Sequence, residues 1–247
     1  MNKDTQMTFI GHLVEIRSRL LKSAIAVVVA SLIAFIFADQ LMVFLTLPLK
    51  TAELVFIDMT EMLGVYLKVC LTAGIMAAMP YLLYHILMFV TPALTPKEKR
   101  SVFLVLPFII IMFATGIAFS YFVLLPPAVQ FLTSFGNEIA TAQIRISSYI
   151  SVATRIMLAA GIVFELPVIS TFLARIGVIT PEWMASKRKY AIVMAFILGA
   201  TLTPPDVVSQ ILLGLPLIVL YEISIWLARL VQPKPVRNEA LPEVPSN

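Results

Sequence analysis

The run KRKYAIVMAFILGATLTPPD, residues 187–206, decides the architecture, because everything C-terminal to it changes sides if it fails to cross a membrane. Its apolar part, Tyr190 to Leu202, would extend only about 18 Å as a helix, against a hydrocarbon core of roughly 30 Å. Length alone argues for a re-entrant half-helix. The basic residues argue the other way: without a crossing here, Arg229, Lys234 and Arg237 would sit opposite the other Lys/Arg clusters, against the rule that keeps basic span ends in the cytoplasm. A short crossing helix is expected, with Lys187 to Lys189 snorkelling and the bilayer locally thinned.

Working outward, the other long apolar runs are Leu20 to Ala38, Met62 to Val90, Val102 to Leu132, Tyr149 to Leu173 and Val207 to Val231. Each is long enough to span. The chain is 60% hydrophobic and 13% charged, where soluble domains run at roughly 45 to 50% and about 25%. No water-soluble core hides that much apolar side chain. Of the 18 basic residues, only Lys50 and Arg145 fall in loops on the far side, and Lys68 and Arg155 lie within or at the edge of spans. The reading is an all-α integral membrane protein with six kinked transmembrane helices in a curved bundle. Both termini are inside, and the fifth and sixth helices are short or joined by a tight turn. The net charge of +4 is explained by basic loops flanking spans, so no nucleic acid is implied.

The N-terminal apolar run lacks a small-x-small cleavage site at Ile36-Phe37-Ala38, so it is kept as the first span rather than a removed signal. Before it, Phe9, Leu13, Ile16 and Leu20 recur at helical spacing, with His12, Glu15 and Arg19 on another face. That pattern predicts a short amphipathic helix on the cytoplasmic surface. The expected division is an amphipathic segment over 1–19, a transmembrane domain over 20–231 and a disordered, proline-rich tail over 232–247. Interior prolines, Pro80, Pro107, Pro126-Pro127, Pro167 and Pro216, each free a backbone carbonyl and predict kinks.

Chemistry-bearing residues are few. The single Cys70 and the two histidines, His12 and His85, cannot build a disulfide, a zinc site or a histidine-rich metal centre. There is no GxSxG, HExxH or Walker loop and no aspartate pair inside spans, so no enzyme, cofactor or metal is expected. Glu98, among Lys97, Lys99 and Arg100, reads by itself as a solvated first-turn charge. Glu165 differs because it falls inside a span, where an ionisable group is costly and usually functional. It is neutral, paired with Lys68, or facing a wet cavity. Glu222 lies near enough to the cytoplasmic end to snorkel or to pair with Arg229.

Several strings, taken in order, resemble the TatC family, the polytopic subunit of the twin-arginine protein translocase. They are His12-Leu13-Val14-Glu15-Ile16-Arg17 with Arg19-Leu20, Pro48-Leu49, Phe89 followed by Pro92-Ala93-Leu94 and Glu98, Phe164-Glu165-Leu166-Pro167, and Leu202-Thr203-Pro204-Pro205-Asp206-Val207. The pattern departs in the second span, where Gln and Trp are expected near His85 and Leu87. The resemblance implies a receptor that binds twin-arginine signal peptides of folded cargo at the cytoplasmic face. Glu15 and Glu98 would receive the guanidinium groups, with Arg17, Phe89 and Leu94 nearby. It implies that Glu165 lies on a concave face where partner helices or the signal-peptide hairpin lodge, with Lys68, Tyr121 and Gln210 as further intramembrane candidates. Pro48 and Asp206 are the implied turn residues.

The partners implied are TatA- and TatB-like single-span subunits, the lipid bilayer and further copies of the chain, in a cytoplasmic membrane energised by the proton gradient. Six helices cannot enclose a pore wide enough for a folded cargo, so partners must supply the passage. The competing reading is a proton-coupled secondary transporter, with Lys68 and Glu165 on the substrate or proton path; it calls for internal repeats, of which the sequence offers only the faint likeness of Met79-Pro80 to Leu166-Pro167.

Overall fold

The computed structural model describes residues 9–49, 54–90, 96–134, 143–203 and 207–232, and these are almost wholly helical. Helix α1 (Phe9–Ile36) carries the amphipathic stretch and the first span as one uninterrupted helix, where the sequence pattern predicts two segments. A bend at Phe37 leads into α2 (Ala38–Thr46) and a 3-10 turn at Leu47–Leu49 holding Pro48. Helix α3 (Glu61–Val90) returns across the bundle, and α4 (Pro96–Phe119) follows it. A π-helical turn at Ser120–Leu124 joins α4 to α5 (Leu125–Ser134), then come α6 (Ile146–Phe164), α7 (Leu166–Arg175), α8 (Pro181–Ser186), α9 (Arg188–Leu202) and α10 (Val207–Val231).

Five stretches are long and apolar enough to cross a membrane: Val14–Ile36, Glu61–Met88, Val105–Phe131, Ile146–Arg175 and Val207–Val231. The sixth, α9, has 15 residues, about 22 Å of helix. It runs antiparallel against α10: a Cβ on Gly199 would lie 3.0 Å from the Gln210 carbonyl oxygen, and one on Gly214 would lie 3.4 Å from the Phe196 ring. Of the last two helices α9 is the short one, with 15 residues against 25 in α10.

Proline chemistry explains two irregularities. Pro126 and Pro127 cannot donate to the preceding turn, and the helix adjusts just before them, with the Leu125 N–H reaching back to Ser120 in an i to i−5 bond. Pro167 likewise cannot continue the ladder of α6, so the helix breaks at Glu165 and restarts, with Ile169 N–H donating to the Glu165 carbonyl at 2.9 Å. Pro80, Pro107 and Pro216 lie inside α3, α4 and α10.

The main core gathers Val65 and Val69 of α3, Tyr121 and Leu125, Ile150 and Ala153 of α6, and Leu213 and Leu217 of α10. Helix α1 stands apart from it, with none of its most apolar stretch buried, and is held chiefly along α3. The two helices pack tightly at Gly74, where a Cβ would come within 2.1 Å of Ser31 Oγ and 2.6 Å of the Ser31 Cα. We therefore expect Gly74→Ala to push α1 outward and cost about 1–3 kcal/mol, read as a lowered unfolding temperature in detergent. A fully retained melting point would show that α1 is not seated on this contact.

On the far side, where α3 and α6 begin, two short segments pair in parallel: β1 (Leu54–Val55) with β2 (Ile144–Arg145). Beside them Arg145 donates to Glu61 at 2.8 Å and to Asp58 at 2.7 Å, and Glu61 also accepts from the Ile57 and Ser147 N–H groups. Tyr121 and Tyr149 donate to the Phe44 and Leu45 carbonyls at 2.7 and 2.6 Å, which fastens α2 to the core.

Candidate functional site

Two regions contain the residues that sequence reasoning selected. The first lies at the end of the bundle where α1 begins and α3 ends. Glu15 is one helical turn before Arg19, and this spacing puts them on one face. The Glu15 Oε1 accepts from Arg19 Nε at 2.9 Å and from Nη2, while Oε2 is buried and has no partner among the described residues. Arg17, two residues on from Glu15, is exposed on another face of the helix.

Across the gap, His85 of α3 is 8% exposed, with Nδ1 at 3.5 Å from Arg19 Nη1. Its ring meets Tyr81 edge-on at 4.4 Å and Tyr84 at 5.5 Å. Aromatic contact is thus made here by His85 and two tyrosines in place of the Gln and Trp expected of the pattern. Between the helices lies an open apolar groove of about 270 Å³, lined by Ile16, Arg19, Leu20, Ser23, Leu82 and Ile86 together with His85. Glu98 falls in the first turn of α4. Its side chain and that of Phe89, like Leu94 as a whole, lie outside the described residues.

The second region is intramembrane. Glu165 is 1% exposed, and neither carboxyl oxygen has a hydrogen-bond partner among the described residues. The backbone is tight around it: a Cβ on Gly116 would lie 2.7 Å from the Ala160 carbonyl and 2.9 Å from Phe164 Cβ, and Phe119 packs on Phe164 at 5.3 Å. The pairing of Glu165 with Lys68 does not form, because Lys68 Nζ donates to Ser151 Oγ at 2.7 Å. Nor are the other intramembrane candidates gathered around Glu165. Tyr121 spends its hydroxyl on the Phe44 carbonyl, and Gln210 Nε2 donates to the Phe196 carbonyl at 3.1 Å, bracing α10 on α9. Asp206 lies outside the described residues.

Glu222 pairs with Arg188, not with Arg229: Nε and Nη2 reach its two oxygens at 2.7 and 3.0 Å. Seven residues along α10 place Arg229 about 10 Å away, whereas the antiparallel α9 brings Arg188 directly alongside. The residues that sequence reasoning did not single out are Glu61 and Asp58, the far-side partners of Arg145. The available signal was Arg145 itself, one of two cations in the far-side loops, with Asp58 and Glu61 in the preceding far-side loop.

A family model described as "Sec-independent protein translocase protein (TatC)" matches residues 11–216. A protein of that name from Carboxydothermus hydrogenoformans is 40% identical over 240 residues, covering 96% of this chain and 99% of that one. The Aquifex aeolicus protein of the same name is 41% identical over 234 residues, covering 92% and 97%, and the TatCy protein of Bacillus subtilis is 33% identical, covering 96% and 95%. A crystal structure titled as the twin arginine translocase receptor TatC superposes with a TM-score of 0.81 at 41% identity, covering 89% of this chain and 99% of that one. Agreement at this level spans all six membrane helices and lends nothing to the secondary-transporter reading. The chain is a multi-pass membrane protein that belongs to the TatC family.

Proposed function

We propose that this protein is the receptor subunit of a twin-arginine translocase: it captures twin-arginine signal peptides of folded proteins at the cytoplasmic face and scaffolds assembly of the export complex. It acts by binding, not by catalysis. The termini are cytoplasmic, the membrane is the cytoplasmic one, and TatA- and TatB-like single-span subunits supply the passage, driven by the proton gradient.

The observation that carries this reading is the state of Glu15. Its carboxylate already accepts a guanidinium through Oε1 and holds Oε2 without a partner, at the edge of an apolar groove. A guanidinium is a planar fork that a carboxylate can accept through two parallel bonds, and an ammonium cannot reproduce that geometry. Glu98, at the start of α4, supplies the second carboxylate, favoured there by the helix dipole. The groove suits the apolar part of a leader peptide that follows the paired arginines.

The test is photo-cross-linking of a twin-arginine peptide to the full chain in membranes, against the same peptide with two lysines. Strong adduct with the arginine peptide and about tenfold less with the lysine peptide is the expected outcome. Equal labelling by both would reject an arginine-specific receptor.

A further inference from the structure

Two cations sit inside the membrane span, outside the peptide-capture site. Lys68 and Arg155 are both exposed on the surface of the bundle. Lys68 Nζ is held by Ser151 Oγ at 2.7 Å, across the contact between α3 and α6. Arg155 is four residues beyond Ser151 on α6 and therefore on the same face. Arg155 has no hydrogen-bond or ion-pair partner among the described residues, and Lys68 has no anionic one. Of the acids along these helices, Glu61 lies seven residues before Lys68 and is engaged by Arg145, and Glu165 lies ten residues beyond Arg155, about 15 Å along the axis.

Depth narrows what can neutralise them. Arg155 is nine residues past Ile146, where α6 begins beside the exposed Arg145–Asp58 pair, so it lies about 14 Å inside. That is near the middle of a hydrocarbon core of roughly 30 Å. To reach a lipid phosphate on the far side its guanidinium would have to climb more than two helical turns, beyond one side chain. Lys68 is likewise held at the level of Ser151 instead of being released toward the surface. An unneutralised guanidinium at mid-membrane is costly, and such groups pair within the membrane or line a function. The face around them is otherwise a plain helix-packing surface, with Ser148, Val152, Ala159 and Ile162 in register along α6.

We propose that the face of α3 and α6 bearing Lys68 and Arg155 is a docking surface for a membrane-spanning helix that carries a carboxylate at the same depth. The incoming acid bonds to the Arg155 fork, Lys68 and Ser151 complete the polar contact, and the small and branched residues of α6 seat the helix backbone. Charge complementarity sets the class of occupant, and depth sets where its acid must lie. As an assignment of where single-span partners lodge, this rests on the receptor reading, although it involves neither Glu15 nor Glu98.

The test uses the full chain in liposomes and an apolar peptide of about 23 residues, with one Glu placed about ten residues from the far-side end. Association is read by energy transfer from a donor on the protein tail. The Glu peptide should bind about tenfold more tightly than its Gln counterpart, and more tightly than one with Glu moved to the opposite leaflet. Lys68→Gln with Arg155→Gln should erase that preference, and Arg155→Lys in place of Arg155→Gln should restore part of it. Equal binding of Glu and Gln peptides to the unaltered chain overturns the proposal, and that comparison needs no protein variant. Preference undiminished in the double variant also overturns it, as does enrichment of phosphatidylglycerol around the chain with no peptide preference. Twin-arginine peptide capture is measured on the same liposomes: if it persists while the acidic-helix preference is absent, only the docking surface falls.

Discussion

Glu15→Gln combined with Glu98→Gln reduces the affinity for a twin-arginine peptide by about a hundredfold or more, while membrane insertion is kept. A hydrogen bond to a charged group contributes about 1.5–3 kcal/mol, so each site accounts for roughly 10- to 100-fold. Glutamine preserves the length and shape of glutamate, but offers one acceptor oxygen where the carboxylate offers two and carries no charge to meet the guanidinium. At Glu15 the loss has a structural side, because Arg19 also loses its partner beside His85. The two single variants separate the effects: Glu98→Gln reads peptide binding at the second carboxylate, and Glu15→Gln reads binding plus any change in how α1 sits on α3. Titration of a fluorescent peptide against each variant is the measurement. Unchanged binding in the double variant removes both acids from the site.

Replacing Glu165 by Met should make the isolated chain more stable and the assembled complex weaker. Its carboxyl is enclosed at the α6–α7 break with neither oxygen bonded among the described residues, so it bears a desolvation cost of about 1–3 kcal/mol that a similarly sized apolar side chain avoids. For a chain of this size each kcal/mol is worth about 2–4 °C in unfolding temperature, measurable in detergent. Natural retention of a group that destabilises the free protein fits a role that appears only when a partner helix or signal hairpin supplies the missing hydrogen bonds. Peptide capture in Glu165→Met should stay intact, while co-purification of single-span partners and export fall. Lower thermal stability together with normal export would mean that the carboxyl is structural.

Much of this architecture is written in long-range composition. Apolar runs of about 20 residues and the placement of Lys and Arg suffice to locate five long helices and to rescue the short α9, because a bilayer enforces length and charge far more strictly than water does. What they miss is local or distant in sequence. Helix α2 reads as part of a connection, since nine residues are too few to register as a span. The π-helical turn before Pro126 depends on which carbonyl the backbone chooses, a detail without a composition signature. The pairing of β1 with β2 involves two residues on each side, far apart in the chain. At the site, Glu15 and Arg19 show their four-residue spacing openly, whereas the sequence leaves pairing of Glu165 with Lys68 open, because that depends on how separate helices pack. The partner of Glu222 is hidden for the same reason, because antiparallel packing of α9 and α10 selects Arg188.

The far-side clasp of Arg145 with Glu61 and Asp58, alongside the β1–β2 pairing, spans the hairpin formed by α3 and α4–α5. These groups can meet only if that hairpin has been threaded twice through the bilayer, delivering residues 54–61 and 144–147 to the same compartment. A nascent polypeptide with one helix left out would strand the arginine on one surface and its acids on the other. The clasp thus acts as a lock that closes only on correctly threaded molecules, leaving misthreaded ones slack and open to proteolytic clearance.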